Sequence, residues 1–232
     1  MGRAEAADGM TRLPVLDDQG RYFVAVHESA HAISHLLFGI PMGGTSVVPE
    51  PGTLGRVAAK QTWEPEIRTH LILGSEPHVR QRVHDRIISF LAGDAAEALA
   101  KAEAGVFHTG YLPETWDYKK ALELADVLSR SPEEGWALLA WLDYRAKDIV
   151  SNHWFRKIQS AIVPTLLEEG DLTQDEIVEL VRPIAADILD ISPKTWRGWL
   201  RLRLLLMARP FRRAFRRLKR RIMWSRKRRT QS

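Results

Sequence analysis

Phe23, Val24, Ala30, Ile33, Leu37 and Phe38 recur at the spacing of a helix that buries one face. Asp17 or Asp18 can cap its start, and Gly39 followed by Pro41 can end it. A second apolar stripe, Val79, Val83, Ile87, Leu91, Ala95 and Leu99, predicts a helix over 76–104 with Pro77 in its first turn. Gly93 interrupts that helix at a cost of about 1 kcal/mol against alanine and leaves room for a closely packed neighbour. A third helix is expected over 117–125, capped by Thr115. Ser131-Pro132-Glu133-Glu134 is a capping box that opens one long helical stretch through Trp141, Ala146, Ile149 and Ile158 to Glu169, where Gly170 stops it. Thr173-Gln174-Asp175-Glu176 is a second box, leading a short helix that buries Ile177, Leu180 and Val181. Between the first two helices, residues 43–58 read as two short extended runs joined by a Pro/Gly turn.

Charge divides this pattern. The chain has 232 residues and a formal net charge of +5. Of its 34 Lys and Arg, 16 lie in 193–232, which contains no acid; the 18 basic and 29 acidic residues upstream leave that part at −11. An acidic body and a basic tail suggest separate tasks, so we divide the chain into a loose arm over 1–18, a main domain over 19–192 and a tail over 193–232. A hydrophobic content of 45% suffices for one substantial core. With no cysteine, disulfides and thiolate ligands are excluded, and any metal must be held by His and carboxylate. No run of 18 uncharged apolar residues occurs and the start lacks a leader's apolar core, so a cytoplasmic location is expected, with peripheral membrane contact compatible.

The candidate chemistry lies in the first helix. His27-Glu28-Ser29-Ala30-His31 is an H-E-x-x-H pattern, which puts His27 and His31 on one face with Glu28 beside them. Two neutral imidazoles and a third ligand can hold Zn²⁺ with one position open for water, whose pKa the ion lowers to about 7. Glu28 is then the candidate general base. His35 continues the four-residue series, but it lies about 12 Å from His27 along the helix axis and cannot share the ion. It is read as a supporting or structural residue. For the third ligand the residues alone leave Asp117, Glu97, Asp94 and His108 open, since an acid in a helix's first turn commonly serves the dipole. An edge strand in 43–58 can take up extended peptide by strand addition; otherwise this is a hairpin that only closes the core.

The order of these parts resembles the zinc peptidase domain of the FtsH-type membrane proteases over roughly residues 20–185. His27-Glu28-Ser29-Ala30-His31-Ala32 resembles that family's HEAGHA, with Ala30 in place of its glycine. Val47-Val48-Pro49 and Leu54-Gly55 resemble the following strand, and Asp85-Arg86-Ile87-Ile88 with Gly93-Asp94-Ala95-Ala96-Glu97 the next helix. Asp117-Tyr118-Lys119-Lys120-Ala121 falls where the family has its third zinc ligand, and 166–177 is similar to the domain's end. The resemblance implies a mainly α fold with a small β element, zinc on His27, His31 and Asp117, and substrate along Val47, Val48, Leu54 and Gly55. The family joins this domain to an AAA+ ATPase, but no GxxxxGK(S/T) loop is present. The expectation is therefore a zinc endopeptidase acting on protein or peptide substrates without its own motor, or fed by a separate ATPase. The competing class is a non-catalytic zinc-containing binding or regulatory protein that works through its tail.

In that tail, Phe211, Phe215, Leu218 and Ile222 form a helical stripe among Arg212, Arg213, Arg216, Arg217, Lys219, Arg220 and Arg221. Such a basic amphipathic helix suits an anionic membrane surface, contacted through 196–229. Nucleic acid is the rival partner, ranked below lipid, because phosphate attracts the same arginines. An oligomer is compatible with the sequence.

Overall fold

In a computed structural model, which describes residues 17–50, 53–59, 77–106 and 115–188, the apolar stripes form a helical layer beside one small sheet. Helix α1 (Asp18–Phe38) begins where the Asp17 carboxylate accepts the Gly20 N–H at 2.7 Å. It ends at Gly39, whose left-handed conformation returns its N–H to the last turn. Strands β1 (Met42–Ser46) and β2 (Arg56–Ala59) follow and pair antiparallel. Helix α2 (Pro77–Glu103) runs against α1 through Val83, Ile87, Leu91 and Ala95. Helix α3 (Trp116–Leu128) is capped by Thr115, whose hydroxyl accepts the Tyr118 N–H.

The long helical stretch expected after Ser131 is two helices, α4 (Pro132–Val150) and α5 (His153–Glu169). The physical reason is local: Ser151 ends the first and the Asn152 side chain caps the second, accepting the Trp154 N–H at 3.2 Å. The break lets Leu139, Leu142 and Ala146 pack towards α2 while Phe155, Ile158 and Ile162 turn towards α1 and the last helix. Residues beyond Gly170 add an element that the pattern did not suggest, a three-residue strand β3 (Asp171–Thr173). It pairs antiparallel with β1, so among the described residues the sheet order is β2-β1-β3 and β2 is an edge. Helix α6 (Gln174–Ile188) then starts from the second capping box: Glu176 accepts the Thr173 N–H at 2.8 Å, and Thr173 Oγ1 accepts the Glu176 N–H at 3.3 Å.

The core is mainly α, as expected, and it pins α1 from two sides. Ala25, Val26, Ala30 and Ile33 are buried between α2 and α5, and Gln159 of α5 donates to the Val26 carbonyl and Ser29 Oγ behind the histidines. No helix among the described residues is long and apolar enough to cross a membrane. Residues 1–16, His108 and the basic tail over 193–232 lie outside the described residues.

Candidate metal centre

Helical geometry places His27 and His31 one turn apart on the face of α1 turned to α2 and α3. Their Nε2 atoms are 3.0 Å apart, and Asp117 Oδ2, from the first turn of α3, lies 3.3 Å from His27 Nε2 and 3.1 Å from His31 Nε2. Four tetrahedral donors held at about 2.0–2.1 Å from one cation stand roughly 3.3 Å from one another. The three atoms thus have the separations of three corners of such a site. They are also chemically poised. His27 Nδ1 donates to Glu97 Oε2 at 3.0 Å and His31 Nδ1 donates to the Ser89 carbonyl at 2.7 Å, which leaves both Nε2 lone pairs turned to the shared point.

Two imidazole lone pairs and a carboxylate oxygen in contact repel unless a proton or a cation lies among them. Burial alone would lower the pKa of His27, but hydrogen bonds to Asp117 and Glu97 and the charge of Glu28 outweigh it and raise the value well above 6.5. His31 moves upward for similar reasons, with the Asp117 charge foremost against burial. Asp117 is buried too, yet the His31 charge and the hydrogen bonds of both histidines hold its carboxyl well below the usual range. The donor set fits a small divalent cation, which would supply that positive charge without protons.

Glu28 is 7% exposed, so burial pushes its carboxyl upward, partly opposed by His31 and His27. It faces the strand side of the centre. A Cβ built on Gly55 would stand 2.8 Å from Glu28 Cγ and 2.9 Å from its Oε1, so only a residue without a side chain lets the chain before β2 lie against this carboxylate. Gly93 does the same for the donors. A Cβ there would come within 2.4 Å of His31 Nε2 and 2.6 Å of His27 Nε2. The interruption in the apolar stripe of α2 is therefore the wall of the centre, and the closely packed neighbour for which Gly93 leaves room is the imidazole pair of α1.

The rivals to Asp117 take other places. Glu97 and Asp94 form a second group with His27, but on its far nitrogen, Nδ1, at 3.0 and 3.7 Å. Lys101 ion-pairs with Glu97 at 2.6 Å, and this lysine together with the His27 hydrogen bond outweighs burial and holds Glu97 at about 2. These carboxylates orient His27. Asp94 Oδ2 also accepts the Thr115 hydroxyl at 2.9 Å, tying α2 to the cap of the helix that carries Asp117. His35 does not reach the centre: its Nε2 accepts from Arg86 at 3.1 Å, and burial with the Arg86 charge lowers its pKa to about 3, so it is neutral.

A cleft of about 830 Å³ opens over His27, Glu28, His31 and Asp117. Leu54 and Gly55 line it, together with Arg56 and Val57 of the edge strand and Phe90 and Trp116 on the helical side. Val47 and Val48 do not line it. Val47 is buried in the core, and Val48 is 52% exposed beside Gly170. The chain just after β1 is held on the β3 side of the sheet, away from β2 and the cleft: the Val47 N–H donates to the Gly170 carbonyl at 2.8 Å. Sequence reasoning missed Trp116, Phe90 and the Asp94–Thr115 link, whose partners lie far apart in the chain. No family model matches this chain, and no curated protein matches it.

Proposed function

We propose that the chain is a zinc-dependent endopeptidase that hydrolyses extended segments of protein substrates. The observation that supports this best is the convergence of His27 Nε2, His31 Nε2 and Asp117 Oδ2 within 3.0–3.3 Å, with buried Glu28 beside them in an open cleft. Zinc, when bound there, would polarise a peptide carbonyl and lower the pKa of water to about 7. Glu28 then serves as the base: it accepts a proton from the attacking water and passes it to the leaving amine. The edge of β2 offers backbone groups to an extended substrate, giving affinity with little dependence on side chains. The resemblance of the His27-to-Glu176 motifs to FtsH-type peptidases is in keeping with this reading. The basic tail we assign to an anionic lipid surface, where it would concentrate the enzyme.

The decisive experiment compares metal content and casein cleavage of wild type and Glu28→Gln from parallel preparations. One zinc per chain in both, with cleavage only in wild type, is the expected result. Cleavage retained by the variant would remove Glu28 from its role, and zinc without cleavage in either protein would favour a binding function.

A further inference from the structure

The series His27, His31, His35 meets α2 at successive points: His27 at Glu97, His31 at the Ser89 carbonyl and His35 at Arg86. The two helices therefore run antiparallel, and Arg86 stands one turn, about 6 Å, beyond His31 along the same cleft. His35, the member of the series that cannot reach the metal, is 5% exposed, and its Nε2 accepts from Arg86 Nη1 at 3.1 Å. Its other ring nitrogen, Nδ1, has no hydrogen-bond partner among the described residues, so the bond from Arg86 is what offsets the burial of this ring. The guanidinium also lies over Phe90, which is 8% exposed, with Cζ 4.7 Å from the ring centroid. Two buried rings thus fix a cation in the wall of the cleft. The other arginine of the cleft, Arg56, is ion-paired with Glu50 at 2.6 Å.

A second donor belongs to that wall. Ser89 lies three residues after Arg86, on the same face of α2, and also lines the cleft. It is 1% exposed, and its hydroxyl has no hydrogen-bond partner among the described residues. A buried hydroxyl without an acceptor is costly, and the cation beside it narrows what the acceptor is, since an anionic oxygen takes bonds from both. A guanidinium carries five donors in one plane, so the bond to His35 does not use up its capacity for a carboxylate. An extended peptide advances about 3.3 Å per residue, so a group about 6 Å from the donors belongs to a residue one or two positions from the bond held over them. We propose that Arg86, positioned by His35 and Phe90, and Ser89 form a subsite for a carboxylate of the substrate, one or two residues from the bond that is cut. An Asp or Glu side chain and a free C-terminus present the same chemistry. This rests on the peptidase reading and adds the substrate class: the edge of β2 binds any extended backbone, and Arg86 selects the acidic ones.

The test uses the zinc-loaded full chain carrying Glu28→Gln and three synthetic peptides, acetylated and otherwise uncharged. One has a central Glu and an amidated end, the second has Gln in its place, and the third is the Gln peptide with a free C-terminal carboxylate. Calorimetric titration should give binding of an acidic peptide tighter than that of the neutral one by about tenfold or more. Preference for the central Glu identifies a side chain as the occupant, and preference for the free end identifies the terminus. Adding Arg86→Gln should bring the acidic peptides to the level of the neutral one. His35→Leu, which keeps the charge but releases it, should lose part of the preference, with zinc content and helical circular dichroism unchanged in both variants. If Arg86→Gln loses its helical signal, Arg86→Lys replaces it and should lower the preference about threefold or more, because the forked geometry is gone. Zinc itself attracts carboxylates, so a preference undiminished by the Arg86 variant belongs to the metal and overturns the subsite. Equal binding of all three peptides overturns it too, even if casein is cleaved. A preference that depends on Arg86 in a protein whose wild type cuts none of the peptides and no casein would uphold the subsite and refute the peptidase reading instead.

Discussion

Gly93 decides the metal centre by having no side chain. Alanine there would favour helix α2 by about 1 kcal/mol on propensity alone. That gain is opposed by contacts of 2.4 and 2.6 Å with the two donor nitrogens, too short for any carbon and aimed at rings already held from behind by Glu97 and Ser89. The steric effect wins locally, because the rings can move only by giving up those bonds. We therefore expect Gly93→Ala to stay folded and to lose zinc affinity by about a hundredfold or more, read by metal titration; wild-type affinity would remove Gly93 from the wall of the centre. Gly55 supplies the matching case on the other side. Its alanine variant should displace Glu28 and cut hydrolysis about tenfold or more while zinc stays bound, and loss of zinc in step with activity would contradict that division. The motif His27-Glu28-Ser29-Ala30-His31 is legible in sequence because helix periodicity alone brings His27 and His31 together. Gly93 is legible only as an anomaly, since what it avoids touching is some 60 residues away.

At the scale of elements, the third donor depends on how α3 is held. Thr115 does two things: its oxygen caps α3 at the Tyr118 N–H, and its proton goes to Asp94 on α2. Valine at 115 keeps the shape and removes both bonds. Loss of a cap costs about 1 kcal/mol, a fall of roughly 2–4 °C in melting temperature for a chain of this size. If α3 only needed its cap, zinc affinity would be untouched. If the bond to Asp94 sets where Asp117 stands, Asp94→Ala should also weaken zinc about tenfold or more, and Asp94→Asn, which keeps an acceptor for Thr115, should recover most of it. Unchanged zinc affinity in both Thr115→Val and Asp94→Ala would make the link purely structural. The starts of these helices were readable in advance because caps are local: Asp17, Thr115, Ser131 and Thr173 all act as their neighbours suggest. The break at Ser151-Asn152 is harder to read although its cap is just as local, because apolar spacing continues through it and masks the Asn152 side chain that accepts the Trp154 N–H. Strand β3 was hidden too, being three residues whose pairing partner lies in β1.

For the whole molecule, the centre links protons, metal and stability with opposite signs. Without metal, His27 and His31 have pKa values raised above 6.5, so the stability they contribute is complete below about pH 6.5 and is lost as pH rises through their folded values. Asp117 and Glu97 have values lowered from 3.8 and 4.5, so their contribution is present above about pH 4.5 and is lost as pH falls through the folded values. The metal-free protein should consequently be most stable between about pH 4.5 and 6.5 and should weaken towards alkaline pH. A bound cation needs both imidazoles deprotonated, so its affinity rises over the same interval in which the metal-free centre weakens. Melting curves at about pH 5.5 and about pH 8 should therefore cross: with chelator the acidic sample is the more stable, and with excess zinc the alkaline one gains more. His35 adds nothing to this window, since its value near 3 keeps it neutral throughout. A zinc-induced rise in melting temperature that is equal at the two pH values would mean that the ion does not replace the protons of His27 and His31, and the metal would then have to bind elsewhere on the chain.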